Sequence, residues 1–187
     1  MSNNLAENLF IITAPSGAGK TTLIKNVIEF AKKNDEKVFM SVSDTTRIPR
    51  SNELDGTDYL FISEEEFKVN IDDQIYIEHA RVHGNLYGTP KQPIEQHLKS
   101  GFKVLLEIDW QGAMEILKTY PEAQSIFICP PSIEELHKRL HDRGLDSAEV
   151  IAERIHGAKL EMEKSSKFKY QIINNSLETA FKNLLNI

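Results

Sequence analysis

The spacing of apolar residues changes period across the first thirty residues. The run "LFIITA" (9–14) is short, apolar and rich in β-formers, which predicts a buried strand. Beyond Lys20 the apolar residues fall at Leu23, Ile24, Val27, Ile28 and Ala31, a helical period. "KVFMSV" (37–42) reads as a second strand. Residues 43–89 then change character and hold "DGTDYLFI", a short helix "SEEEFKVNI" and the strand "QIYIEHARV". Ser63 and Glu66 form a capping box for that helix. Thr89-Pro90 reads as an N-cap followed by proline at the first position of a helix reaching about Lys99.

Further on, "KVLLEID" (103–109) and "SIFIC" (125–129) are apolar strands. Two helices follow, opened by Ser132 with Glu135 and by Asp146 with Glu149, and joined at Arg143-Gly144. "YQIIN" (170–174) is a last strand, and a short helix closes the chain. Strands alternating with helices argue for a parallel α/β sheet flanked by helices, with no repeats or low-complexity segments.

The totals narrow the classes. At 187 residues one domain with insertions is the expectation. Lys plus Arg is 22 against 28 for Asp plus Glu, a net charge of −6, which argues against a general nucleic-acid binder. No run approaches 18 apolar residues, so no membrane span is expected. The start "MSNNLAENLF" lacks the basic segment and apolar core of a signal peptide. One cysteine, Cys129, excludes an intrachain disulfide and suits the cytoplasm. The 16 lysines are scattered, whereas five of the six arginines are grouped: Arg47 with Arg50, Arg139 with Arg143, and Arg154 nearby. Arginine is the better bidentate ligand for phosphate, so the grouping suggests local anion sites.

"TAPSGAGKTT" (13–22) carries the first of them. It resembles a phosphate loop, Gly-x4-Gly-Lys-Ser/Thr, with Ala14 in place of the first glycine. Such a loop works through backbone N–H groups at a helix N-terminus, here those of Ser16, Gly17, Ala18, Gly19, Lys20, Thr21 and Thr22. Ala14 precedes Pro15, which favours extended backbone that alanine adopts freely, so the missing glycine is dispensable. Lys20 would reach the β- and γ-phosphates and Thr21 would hold Mg2+. The bland alternative is an ordinary helix-entry turn with a surface lysine.

In "SVSDTTRIPR", Arg47 and Arg50 flank Pro49, which stiffens the link and suits a second phosphate; two solvated loop arginines are the alternative. Tyr59 and Tyr87 would add hydroxyls to that group or simply pack. Period two puts Tyr76, Glu78, Ala80 and Val82 on one strand face. A carboxylate there needs a partner, and the N1–H and 2-amino donors of guanine would serve. An edge strand facing water is the alternative for Glu78.

Taken in order, "TAPSGAGKTT", "SVSDTTRIPR", "DGTDYLFI", "YIEHARVHGNLYGT", "EIDWQG", "IFICPPS", "LHKRLHDRG" and "IINN" resemble the guanylate kinase family, bacterial type, collinearly from residue 9 to about 180. The resemblance implies a P-loop nucleoside monophosphate kinase fold. Its core would span 1–36, 90–130 and 158–187, with a mixed α/β GMP-binding insert at 37–89 and a helical lid at 131–157. It implies transfer of a phosphoryl group from ATP to GMP, and to dGMP, with Mg2+ as cofactor and with no nucleic-acid or membrane partner. It places the GMP phosphate on Arg47, Arg50, Tyr59 and Tyr87, and guanine on Ser43, Glu78, Thr89 and Asp109. It brings Arg139, Arg143 and Arg154 from the lid to the transferring phosphate, and sets Asn174 near the adenine. Glu107 stands where the family pattern has Asp, which implies contact with Mg2+ only through water. Asn175 stands where the pattern again has Asp.

Two rival readings are a non-catalytic scaffold domain of the same fold, against which Lys20 stands, and a kinase for another nucleoside monophosphate. His137 and His141 sit at i, i+4, a zinc-like spacing, but with no third ligand nearby they read as a solvated helix face.

Overall fold

Leu9–Thr13 (β1) is the middle of five parallel strands, and its alternating side chains feed two cores. The computed structural model describes residues 5–51, 53–82, 84–142, 144 and 147–187. After β1 come α1 (Lys20–Lys33), β2 (Val38–Met40), β3 (Asp44–Thr45), β4 (Leu60–Phe61), α2 (Glu64–Asp72), β5 (Tyr76–Val82) and β6 (Asn85–Pro90). The chain continues through α3 (Lys91–Lys99), β7 (Lys103–Glu107), α4 (Trp110–Thr119), β8 (Gln124–Cys129), α5 (Ile133–Asp142), α6 (Ala148–Met162), β9 (Tyr170–Ile173) and α7 (Leu177–Leu185).

The large sheet has the order β2-β7-β1-β8-β9, with every pairing parallel. Leu9 and Ile11 join Val104, Leu106 and Phe127 beneath α3 and α4. Ile12 joins Leu105, Ile126 and Ile128 beneath α1 and α7. All six residues of β8 are buried, as expected of a central parallel strand covered on both faces. Each fully buried Leu or Ile contributes roughly 1.5–3 kcal/mol, so the sheet carries much of the stabilising burial among the described residues. Free Cys129 is buried at the end of β8.

A second sheet, β4-β3-β6-β5, is mixed. β5 and β6 run antiparallel, placing Glu78 opposite Thr89 and Ala80 opposite Tyr87. β2 lies within the 37–89 stretch expected to form an insert, yet it pairs with β7 in the parallel sheet.

Several local expectations are corrected. Thr89 is not the cap of α3: β6 runs through Pro90, which itself occupies the cap position without a side-chain bond. The Thr89 hydroxyl serves the buried Glu78 carboxylate instead. Ser147, not Asp146, caps α6, accepting from Val150 N (3.4 Å), and Asp146 lies outside the described residues. Ser63 and Ser132 do cap their helices, their hydroxyls accepting from Glu66 N and Glu135 N. The sequence pattern predicts neither β6 nor α4.

Candidate functional site

The phosphate-loop segment leaves the carboxyl end of β1, where open parallel sheets bind ligands. Gly17 and Gly19 adopt φ of 91° and 92°, the left-handed region that favours glycine. Space demands glycine as well: a Cβ on Gly17 would fall 2.9 Å from Leu136 Cδ1, and one on Gly19 would strike the Asn174 amide. Ala14 is not among the residues with positive φ, in keeping with its place before Pro15. Gly19 is the N-cap of α1 and no side chain caps it. The first-turn amides of α1 are therefore left to an incoming anion.

Lys20 and Thr21 converge on the end of β7. Lys20 Nζ donates to the Ile108 carbonyl (3.4 Å) and lies 3.9 Å from Glu107 Oε1. The Thr21 hydroxyl donates to the same Glu107 oxygen (2.6 Å). That bond commits the hydroxyl proton and leaves oxygen lone pairs for a cation. Among the described residues no cluster of three or more His, Cys, Asp or Glu could hold a metal. The donor set fits Mg2+, which keeps its waters and takes most other ligands from substrate phosphates.

Across the cleft, Arg47 Nε donates to the Tyr87 hydroxyl (3.1 Å), and its Cζ lies 5.4 Å from the centre of the Tyr59 ring. Tyr59 and Tyr87 meet edge to face at 5.8 Å. Burial, with Glu107 and Tyr87 next in effect, pushes the Tyr59 hydroxyl up to about 12, so it stays a proton donor. Arg50 is the exposed member of the group, its side chain 61% accessible.

Glu78 is only 3% exposed, which removes the edge-strand-in-water alternative. β5 is an edge strand, but the start of α4 covers it. Gly112 makes that approach possible, because a Cβ there would sit 2.8 Å from Glu78 Cδ. Asp109 caps α4 by accepting from Gly112 N (2.9 Å). The Thr89 hydroxyl donates to Glu78 Oε1, which leaves Ser43 to donate to Thr89 (3.1 Å). Burial raises the Glu78 carboxyl to about 7; the Thr89 bond opposes this, and repulsion from Asp109 and Glu115 adds to it.

A single cleft is lined by Ser16, Gly17, Gly19, Lys20, Thr21 and Thr22 on one side and Ser43, Arg47, Arg50, Tyr59, Glu78 and Tyr87 on the other, with Glu107 and Asp109 between them. Thr89 lies behind Glu78, with no exposed surface. Arg154 reaches the loop from α6, its Nη1 3.5 Å from the Ser16 hydroxyl. Arg139 is tied elsewhere, donating to Glu135 and to the Asn174 carbonyl (3.1 Å each). Arg143 lies outside the described residues. The Asn174 side chain is a strut under the loop, donating to the Ala18 carbonyl (2.7 Å), and the residue is 5% exposed.

Two cleft-side acids were missed in the sequence. Glu161, in the last turn of α6, lines the cleft. Burial pushes its carboxyl up to about 7, against the pull of Lys20 and with the push of Asp109. Nothing in the charged stretch "KLEMEK" singles it out. Glu53 binds both Arg47 and Arg50. The spacing Arg47-x-x-Arg50-x-x-Glu53 was the available signal.

A family model described as guanylate kinase matches residues 6–187. A guanylate kinase of Hydrogenovibrio crunogenus is 45% identical over 98% of this chain and 87% of its own length. One of Dechloromonas aromatica is 47% identical over 96% of this chain and 87% of its own. The crystal structure of guanylate kinase from Anaplasma phagocytophilum superposes with a TM-score of 0.74, at 32% identity, over 95% of this chain and 82% of that one. With a phosphate loop and a buried carboxylate facing each other across one cleft, and with likeness running along nearly the whole sequence, the chain belongs to the guanylate kinase family.

Proposed function

We propose that the cleft transfers the γ-phosphoryl group of ATP directly to GMP, giving ADP and GDP, with dGMP as a second acceptor. The observation that carries this reading is Glu78, a buried carboxylate facing the same cleft as the phosphate loop. ATP phosphates would lie on the amides of residues 16–22, with Lys20 on the transferring group. The GMP phosphate would lie on Arg47, Arg50, Tyr59 and Tyr87. Guanine would be read by Glu78 directly, with Ser43 and Asp109 beside it and Thr89 holding the carboxylate from behind.

The residues act by position and charge. Phosphoryl transfer asks little covalent chemistry of a protein, and the acceptor is already an anion, so no general base is required. Lys20 offsets charge on the donor side and Arg47 and Arg50 on the acceptor side, so two like-charged phosphates can approach. Mg2+ would be held by the ATP phosphates and Thr21, with Glu107 reaching it through water; when bound it neutralises charge on the donor phosphates. Arg139, Arg143 and Arg154 would close from a lid at 131–157 over a core of 1–36, 90–130 and 158–187 and an insert at 37–89, with β2 counted in the core. Among the described residues no helix is long and apolar enough to cross a membrane, and Cys129 is a free thiol. We place the protein in the cytoplasm on that thiol.

ADP release coupled to GMP addition tests the reading against a non-catalytic scaffold. The parent should turn over, and Lys20→Met should stay folded while kcat falls about 100-fold or more, the scale of one lost preorganised charge contact. A folded Lys20→Met protein with parental turnover would remove Lys20 from the donor site.

A further inference from the structure

Arg47 and Arg50 share a partner that the two-nucleotide reading does not use. The Glu53 side chain is only 11% exposed. Its Oε1 accepts from Arg47 Nη2 (2.8 Å) and from Arg50 Nη1 (3.4 Å), and its Oε2 accepts from the Arg50 main-chain amide (2.8 Å). Its own amide returns a bond to the Arg50 carbonyl (3.0 Å). One carboxylate thus closes the Arg50–Glu53 turn and pins the Arg47 fork at once. Burial alone would raise the Glu53 carboxyl, but the bonds from Arg47 and the Arg50 amide prevail and hold it below the usual carboxylate range. It therefore stays charged at neutral pH.

The bonds divide the arginines into two kinds. Arg47 spends Nε on Tyr87, one Nη1 hydrogen on the Ile48 carbonyl (2.9 Å) and one Nη2 hydrogen on Glu53. Of the five N–H bonds a guanidinium carries, two remain, in a fixed direction. Arg50 is held at its main chain, and its exposed fork adds only the longer 3.4 Å bond to Glu53. Without the carboxylate, two cations would repel each other on a short loop and their ordering would be left to the moment of binding.

We infer that Glu53 is a positioning residue for the acceptor phosphate: it orders the Arg47 fork and the Arg50 main chain before GMP arrives, and it is not a stand-in anion that GMP must displace. Two observations set it apart from a competitor. Its oxygens bond a main-chain amide as well as side chains, and it sits inside a closed turn. The inference rests on the GMP reading of the cleft.

The test uses Glu53→Gln and Glu53→Asp in the full chain, each checked for fold by circular dichroism. The amide loses the charge. The shorter carboxylate keeps the charge but cannot span Arg47 Nη2 and the Arg50 amide together. Steady-state kinetics should show KM for GMP raised roughly 10–100-fold in both, the scale of losing a charge-assisted bond. The loss should fall on KM for GMP rather than on kcat, and KM for ATP should stay within about two-fold. Guanosine, which carries the base without the phosphate, should inhibit parent and variants equally. A merely structural role would weaken guanosine in step with GMP, and that result overturns the inference. An unchanged or lowered KM for GMP overturns it too, the latter showing a competing anion. Loss of fold in both variants makes Glu53 a folding requirement and likewise ends the proposal. A parent that does not phosphorylate GMP fails the underlying reading, and that is seen before any variant is made.

Discussion

Glu78 is buried at the cleft at a cost to stability. Its carboxyl is raised from 4.5 to about 7, chiefly by burial, so between those values the folded protein binds a proton the unfolded chain has released. Stability from this group is full below about pH 4.5 and is lost as pH rises through about 7. A shift of this size is worth of order 3 kcal/mol. Glu78→Gln removes the titration, so the variant should gain on the parent in urea midpoint as pH rises from 4.5 to 8. The same substitution should sharply reduce GMP turnover, because an amide nitrogen then faces the guanine donors where an acceptor was needed. Parallel stability-versus-pH curves for parent and Glu78→Gln would show that Glu78 is not the buried titrating group. On the proposed function guanine is bound by the ionised form, so KM for GMP should rise as pH falls below about 7.

At the scale of elements, the site depends on where α4 starts. Asp109 caps that helix and Gly112 gives the Glu78 carboxylate room above its first turn. Alanine is a better helix former than glycine by about 1 kcal/mol, which taken alone predicts that Gly112→Ala stabilises. The added Cβ, however, occupies the place of the carboxylate. The effects should nearly cancel in thermal stability while KM for GMP rises at least about ten-fold and ATP binding is unchanged. Parental KM for GMP in Gly112→Ala would show that the helix does not set the carboxylate's position. The first turn of α4 also shows why the sequence left this element unread. "WQGAMEILKT" places a glycine near its start, and Asp109 just before it carries a cap signal as well as candidate site chemistry. β6 was hidden by Gly88 and Pro90, which weaken a strand pattern. Gly88 is there because a Cβ would meet Phe67 and Tyr76, each at 2.9 Å. β1, α1, β7 and β8 were legible because burial imposes a clean period on them. Glu78 stood out because a buried carboxylate is costly without a partner, and Lys20, Arg47 and Arg50 because they sit in short patterned segments. Asn174 as a strut and Glu161 in the cleft were not, because each is defined by a contact distant in sequence.

On the scale of the whole molecule, the parallel sheet holds the phosphate loop, the small sheet holds Glu78 and leads into the Arg47–Arg50 segment after β3, and the cleft lies where they meet. An acidic protein of net charge −6 thus gathers Lys20, Arg47 and Arg50 around one opening, with Arg154 held against the loop. On the proposed function, this cleft reads guanine on the acceptor before the phosphoryl group moves. Guanine offers two donors along N1 and N2, whereas adenine offers an acceptor at N1 and no 2-amino group. A site built to hydrogen-bond one partner rejects an analogue lacking those donors by about 10⁴–10⁵ in kcat/KM. The most direct measurement is the ratio of kcat/KM for GMP to that for AMP, with ATP as donor in both. The expected ratio is of that size in the parent and collapses in Glu78→Gln through loss of the GMP rate. Comparable kcat/KM for the two acceptors in the parent would contradict the account, leaving a P-loop kinase whose acceptor is not chosen by Glu78.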